Sequence, residues 1–403
     1  MPKAKPPGNV QTIKRLNREA ILQCLRENGR LSRASLAKMT SLSKPGVSAI
    51  VSELLQEGLL REVGEGASSG GRKPILLELN SDQFFIMAAV FEGMRLELAL
   101  ANLDGAIVAA QSIRVEQSFA GQDLSAYLQE CIATFLKTSA VDSERLLGIG
   151  VGLPGITRRG SGKISFSPIT DWHDWPIKEE LEQRFVLPVM VDNDVNLMAL
   201  GEFYKGAGKG RQHVVYIYVG TGIGAGIILN GQLYRGVADA AGEIGYMMIG
   251  RLETRISDKY GTFEGNYSTL ALYNRVKKTP GLNHLATDHA ENIILKLVRE
   301  ATGCEVARSL LEEACLKWCY GIANVVSVLN PELVILGGDM PYIGAWGIDF
   351  IRTNLAKLVP VVPEVQFAEL RERAGIMGAV YQVLESDRSL SGSLKNAMRG
   401  EGG

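Results

Sequence analysis

One pattern occurs twice in this chain and limits its fold more than any other feature: strand, tight glycine turn, strand, then a hairpin into a third strand. The first copy runs through strand-like residues 85–90, a turn, residues 96–101, the turn Asn102-Leu103-Asp104-Gly105, and residues 106–110. The second runs through residues 213–219, the glycine turn Gly220-Thr221-Gly222-Ile223-Gly224, residues 225–229, and Asn230-Gly231. Asp-Gly and Asn-Gly adopt the positive φ of tight hairpins at little cost, so each copy predicts a meander rather than a crossover. Two copies predict two similar α/β lobes, and the junction between lobes is where small ligands bind.

With 403 residues the chain is long enough for two or three domains. No apolar run approaches the ~20 residues of a membrane span, and the basic, proline-rich residues 1–8 lack the apolar stretch of a secretory signal. A cytoplasmic protein is expected. The five cysteines, Cys24, Cys131, Cys304, Cys315 and Cys319, lack paired spacing and predict no disulfide framework. Cys315 and Cys319 share a helical face, which suits a buried core better than a metal site. The net charge of −1 conceals an asymmetry: residues 1–50 carry ten Lys/Arg against two Glu. A basic head on an acidic body points to a polyanion at one end, although a solvated basic arm would share that composition.

The basic head has its own grammar. Leu16, Ala20, Ile21 and Leu25 recur at helical spacing before Gly29. Ser32 is placed to cap a short helix carrying Leu36, Ala37 and Met39. Ser43 is placed to cap a third, with Pro45 in its first turn, where a missing N–H costs nothing. Residues 59–63 and 74–79 predict two strands around a glycine-rich loop that ends in Arg72 and Lys73. Helix, helix, turn, helix and wing is the order of a winged helix-turn-helix. Lys44, Gly46 and Ser48 would enter a major groove beside the Ser43 cap. Arg33, Arg72 and Lys73 would meet phosphates. A small helical bundle for protein contacts is the competing reading.

Within the body, five segments stand in order: Gly148-Ile149-Gly150-Val151-Gly152-Leu153-Pro154-Gly155, Val191-Asp192-Asn193-Asp194-Val195-Asn196, Gly220 to Gly226, Gly242-Glu243-Ile244-Gly245, and Leu336-Gly337-Gly338. Together they resemble the repressor, open-reading-frame and kinase (ROK) family, a branch of the sugar-kinase/actin superfamily, over residues 84–384. The head fits the repressor branch of that family, the xylose and N-acetylglucosamine repressors. The resemblance implies an α/β fold: a duplicated ribonuclease-H-like, two-lobe body preceded by a winged helix-turn-helix domain. The expected boundaries are 1–80 for the DNA-binding domain, 81–198 with 375–403 for the first lobe, and 199–374 for the second. The resemblance also implies that Asn193 binds a sugar hydroxyl, that Asp194 stands at the general-base position, and that Glu243, Tyr246 and Glu264 line the sugar. Such side chains suit hydroxyl pairs because they accept, or accept and donate, bidentately. Helix capping is the competing use of residues 192–194. Trp172 and Trp175 could stack on a sugar or pack the lobes. Arg158 and Arg159 could meet a sugar phosphate or solvent.

Two departures from the family pattern argue against a kinase. Where family kinases read Asp-x-Gly-Gly-Thr, this chain reads Val90-Phe91-Glu92-Gly93-Met94. A fixed carboxylate at Glu92 would repel phosphates at a cost of ~1–4 kcal/mol at ~4 Å in wet surroundings. Phosphoryl transfer rests on positioning and neutralised charge, so that loss would be severe and Asp194 would be vestigial as a base. The family's zinc ligands, a histidine and a cysteine cluster, are also missing. Tyr246 replaces the histidine, and residues 250–264 contain no Cys or His. The donors present do not fit tetrahedral zinc. No catalytic residue, metal or cofactor is therefore expected. The expected partners are double-stranded operator DNA, a sugar or sugar derivative, and a second copy of the chain, as a homodimer or dimer of dimers. An active sugar kinase with a DNA-binding appendage and a regulator answering to a protein remain the alternatives.

Overall fold

The structure is a computed structural model that describes residues 10–66, 73–115, 121–139, 141–158, 161–166, 175–249, 261–286 and 292–386. The head comprises α1 (Val10–Asn28), β1 (Leu31–Ser32), α2 (Arg33–Thr40), α3 (Lys44–Gln56), β2 (Leu60–Glu65) and β3 (Ile75–Leu79). Both predicted caps form: Ser32 Oγ accepts from Ser35 N at 3.1 Å and Ser43 Oγ from Gly46 N at 3.2 Å. Each satisfies a donor that the helix leaves open, and losing such a cap costs about 1 kcal/mol. Strand β1 was not anticipated, since two residues carry no readable period; it pairs with β3 to complete a sheet in the order β1-β3-β2. The apolar stripe of α1 also needs correcting. Ile21 and Leu25 are buried, whereas Leu16 is 52 % exposed and Ala20 is exposed.

The first lobe contains β4 (Phe85–Glu92), β5 (Arg95–Asn102), β6 (Ile107–Arg114), α4 (Gly121–Thr138), β7 (Leu146–Leu153), β8 (Ile156–Thr157), β9 (Ile164–Phe166), α5 (Ile177–Phe185), β10 (Val189–Asn193) and α6 (Asp194–Lys205). Its sheet runs β10-β7-β4-β5-β6, with β4, β7 and β10 parallel and β4-β5-β6 an antiparallel meander. Every residue of β7 is buried, as a strand covered on both faces requires.

The second lobe repeats this wiring. It contains β11 (Val214–Val219), β12 (Ile223–Leu229), β13 (Gln232–Tyr234), α7 (Thr262–Tyr267), α8 (Thr269–Lys278), α9 (Ile293–Glu300), α10 (Glu305–Leu329), β14 (Leu333–Gly338), α11 (Gly344–Leu358) and β15 (Glu364–Phe367). The sheet order is β13-β12-β11-β14-β15, again a meander followed by parallel strands on its other side. Its core holds Trp318, Cys315 and Cys319, so the two cysteines are packing residues.

The last helix, α12 (Ala374–Leu384), packs on β4, β7 and above all α6. The two helices meet backbone to backbone. A Cβ on Gly201 would lie 2.0 Å from Ala374 O, and one on Gly378 1.8 Å from Leu197 O. Only glycine permits that approach. The head is not a separate bead, because one apolar cluster joins Ile21, Leu25 and Leu54 of the head to Ile86 and Ala88 of β4 and Val380 and Val383 of α12. Arg26 reinforces the joint, donating from Nε to Leu103 O at 3.2 Å with its guanidinium 5.9 Å from the Tyr381 ring centre.

Candidate functional site

The head offers its third helix outward. Ser43, Lys44, Ser48 and Ala49 are exposed, Gly46 is half-buried, and Val47 and Ile50 turn inward, so the amphipathic period leaves one small-residue face for a partner. Ser43 Oγ and Gly46 N–H are already committed to each other as the cap. Arg33 is drawn to Glu62 of β2 at 3.2 Å and Lys73 to Glu65 at 3.5 Å. Both pairs are exposed enough to exchange for phosphate at little cost. Arg72 lies outside the described residues.

The cleft is built from the ends of strands. Glu92 closes β4, pairing with Arg95 across the two-residue turn Gly93-Met94. Gly93 adopts φ +58°, and a Cβ there would sit 3.4 Å from Thr221 Cγ2. The glycine turns of the two lobes thus approach each other. Behind the second turn, Thr269 N donates to Gly220 O at 2.7 Å and Thr269 Oγ1 to Asp339 Oδ2 at 2.7 Å.

Asn193 ends β10 and caps α6. Its Oδ1 accepts from Asn196 N at 3.0 Å, while its Nδ2 donates to Gly155 O at 3.0 Å and so pins the Pro154-Gly155 turn. Capping, weighed above as the competing use, is therefore real, and it leaves Asn193 one further N–H and one further lone pair. Asp194 follows in the first turn of α6, 9 % exposed, with Oδ1 accepting from Val195 N at 2.9 Å. Glu243 precedes the short turn Ile244–Tyr246, and Glu264 on α7 accepts from Ile223 N at 2.8 Å.

These carboxylates share one poorly hydrated space. Burial, then the charges of Glu264 and Asp192, pushes Asp194 up to about 7. Burial, then Glu264 and Asp194, pushes Glu243 up to about 7. Burial also raises Glu264, against the hydrogen bond from Ile223. Glu92 is pushed up to about 8, by burial first and by Asp194, Glu372, Glu97 and Asp339 after it. Desolvation penalises the charged form and crowded like charges add to it, so Asp194, Glu243 and Glu92 hold their protons near neutrality. A hydroxyl-bearing guest suits such a set, since it can both donate to and accept from it. Among the described residues no group of three or more His, Cys, Asp or Glu is arranged to hold a metal ion.

The other predicted residues fall around this centre. Tyr246 is 47 % exposed at the rim. Nearby on α7, Phe263 is buried, and Tyr267 Oη donates to Glu313 at 3.0 Å. Trp175 bridges to Ile164 and packs on the first-lobe core, the packing role rather than the stacking one. Arg158 is exposed. Trp172, Arg159, Tyr260 and residues 250–260, where the zinc loop would fall, lie outside the described residues.

Asp192 was passed over as a mere part of the capping stretch. It is 1 % exposed and is gripped by Arg235 of the second lobe, whose Nη1 donates at 2.6 Å, and by Gln382 Nε2 of α12 at 2.6 Å. An acid directly after the apolar run Val189-Met190-Val191 was the available signal; its partners, far off in sequence, gave none.

The ROK family model matches residues 92–386, and a winged helix-turn-helix DNA-binding model matches residues 15–61. The xylose repressor of Caldicellulosiruptor bescii is 29 % identical over 388 residues, covering 94 % of this chain and 97 % of that one. The DNA-binding transcriptional dual regulator NagC of Escherichia coli is 27 % identical over 336 residues, covering 83 % of this chain and 82 % of that one. Among solved structures, a ROK family transcriptional regulator described as a homologue of the E. coli MLC protein superposes with a TM-score of 0.83 at 24 % identity, covering 95 % of this chain and 99 % of that chain. Among the described residues no helix is long and apolar enough to cross a membrane.

Proposed function

Since the chain belongs to the ROK family, we propose that it is a sugar-responsive, DNA-binding transcriptional repressor without kinase activity, working in the cytoplasm. The observation that carries this reading is that Asp194, Glu243 and Glu264, from three separate elements, stand in one another's electrostatic field away from water, in a chain whose head presents a capped, outward helix. The names of the relatives point the same way, toward repressors of sugar-linked genes.

In this reading residues 1–80 bind operator DNA, residues 81–198 with 375–403 form the first lobe, and residues 199–374 form the second. Lys44, Gly46 and Ser48 enter the major groove, the Ser43 cap holds the helix start in place, and Arg33, Arg72 and Lys73 hold phosphates. One helix per chain supplies little affinity, so two copies reading a two-fold operator is the expected assembly. The sugar lies at Asn193, Asp194, Glu243 and Glu264 with Tyr246 at its edge. Its hydroxyls bridge the lobes, and the change in DNA affinity is bounded by the sugar's preference for one lobe arrangement.

Glu92 supports the absence of phosphoryl transfer. It ends β4 against the Thr221 turn, and burial pushes it up to about 8, so the fixed negative charge expected from sequence is corrected to a neutral acid near pH 7; that acid still supplies none of the cationic or clustered backbone donors a nucleotide's phosphates would need. Val90, at the family's aspartate position, is 2 % exposed and packs in the core, and Met94 replaces the threonine. A coupled assay with ATP and a sugar panel should show no turnover.

The test of the sensor is ligand-dependent melting. A sugar at a hundred times its Kd adds about 2.7 kcal/mol to the folded state. That shift should appear with a sugar and vanish in Asp194→Ala and Glu243→Ala. A panel without any shift would end the sugar reading and turn attention to protein partners.

A further inference from the structure

A cavity beside the head does not coincide with the carboxylate cleft. About 840 Å³ in volume, it lies where α1 of the head, β10 and α12 of the first lobe, and the β12–β13 hairpin of the second meet. None of Asn193, Asp194, Glu243 and Glu264 lines it. Leu16 and Ala20, the part of the α1 stripe that fails to enter the core, face this space.

Its wall is polar and its charges are matched. Arg235 is neutralised by Asp192, and Arg26 stands in the field of Glu385, which itself accepts from Tyr204 Oη at 2.6 Å. Lys178 and Glu19 complete the count, so no net charge is left to select an anion. Two wall residues carry a buried oxygen without a hydrogen-bond partner among the described residues: Thr157 Oγ1 and Gln382 Oε1. Gln382 Nε2 must donate to Asp192, which only accepts, so Oε1 is fixed as an acceptor still wanting a donor. Native proteins seldom bury such atoms unsatisfied. A guest whose hydroxyls reach them, after a small rotation of either side chain, removes the cost. A fully ionised phosphate or carboxylate group would bring a charge that the wall does not balance and has no O–H of its own to donate to Gln382.

We propose that this cavity is a second small-molecule site, for an uncharged polyhydroxylated ligand of sugar size, contacted jointly by the DNA-binding head and both lobes. It is independent of the cleft reading, because the two sites share no lining residue. A guest seated here touches α1 directly, and so acts on the head without passing through the cleft.

The test is calorimetric titration of the full chain with neutral pentoses, hexoses and disaccharides, using sugar phosphates as charged controls. Gln232→Trp fills the cavity from an exposed position of β13, and Gln23→Trp fills it from α1. The expected result is a neutral saccharide whose binding survives Asp194→Ala and Glu243→Ala but weakens at least tenfold in both tryptophan variants. Should Gln23→Trp not fold, Gln232→Trp reads the same space from the other wall. If every neutral saccharide is lost in the cleft variants and unaffected by the tryptophans, the second site is refuted and the cleft sensor stands. Binding there only by sugar phosphates would refute the uncharged class. If, beyond that saccharide, no sugar of the panel loses binding in the cleft variants, the cavity is upheld and the cleft is removed from the sensor.

Discussion

Glu92, Asp194 and Glu243 all hold their protons far above the range of free carboxylic acids, and that has a measurable direction. Their folded pKa values of about 8, 7 and 7 exceed the unfolded ones, so the native state binds more protons across the intervening window. The stability these three acids contribute without ligand is therefore full below pH ~4 and declines as pH rises toward 8. Melting curves between pH 5 and 8 should show this fall, and Glu92→Gln should flatten it and raise the melting temperature at pH 8. An unchanged slope in that variant would mean Glu92 is hydrated. Hydroxyl donors favour the ionised form, so sugar affinity should strengthen from pH 6 to pH 8, as titration calorimetry would register. At this scale sequence served unevenly. Asp194 and Glu243 were legible because short motifs carry them. Arg235 and Gln382 were not, because Asp192 finds them 43 and 190 positions away.

Elements were more legible than contacts. Caps, hairpin turns and both meanders could be read because their signals are local: Ser43 before Pro45, Asp-Gly, Asn-Gly. The two-residue β1 and the exposure of Leu16 depended on what packs nearby, which no local period encodes. The α6–α12 contact belongs to this scale. Gly378→Val places carbon where Leu197 O already sits, and overpacking of that kind costs ~1–3 kcal/mol or more. Chemical denaturation should register the loss; a change below ~0.5 kcal/mol would mean the helices part easily. On the head, Ser43→Ala should cost about 1 kcal/mol of stability through its cap. Lys44→Ala should leave stability alone while weakening operator binding and its salt dependence, measured by fluorescence anisotropy.

Across the whole molecule, Asp192 stands where three bodies meet: the strand leading into the cleft, Arg235 of the second lobe and Gln382 of the closing helix. Asp192→Asn keeps the shape but removes the charge that holds Arg235. Breaking a buried pair on one side costs ~3–5 kcal/mol. If the variant remains folded, its operator affinity should persist while its response to sugar fades, since the lobes lose their charged link. An undiminished response would place the coupling elsewhere. The two-lobe plan was visible from the repeat alone. How the head meets the body was not, because that contact is made by residues whose apolar character the head's own core already explained.

That contact bears on how such a chain can be taken apart. Ile21, Leu25 and Leu54 share their packing with β4 and α12, so a cut near residue 80 would strip both pieces of a common wall and leave each sticky. A head transplanted onto an unrelated body would arrive with half an interface and no counterpart. New pairings of reader and sensor must therefore be bred together, with Arg26, Leu103 and Tyr381 changing as a set.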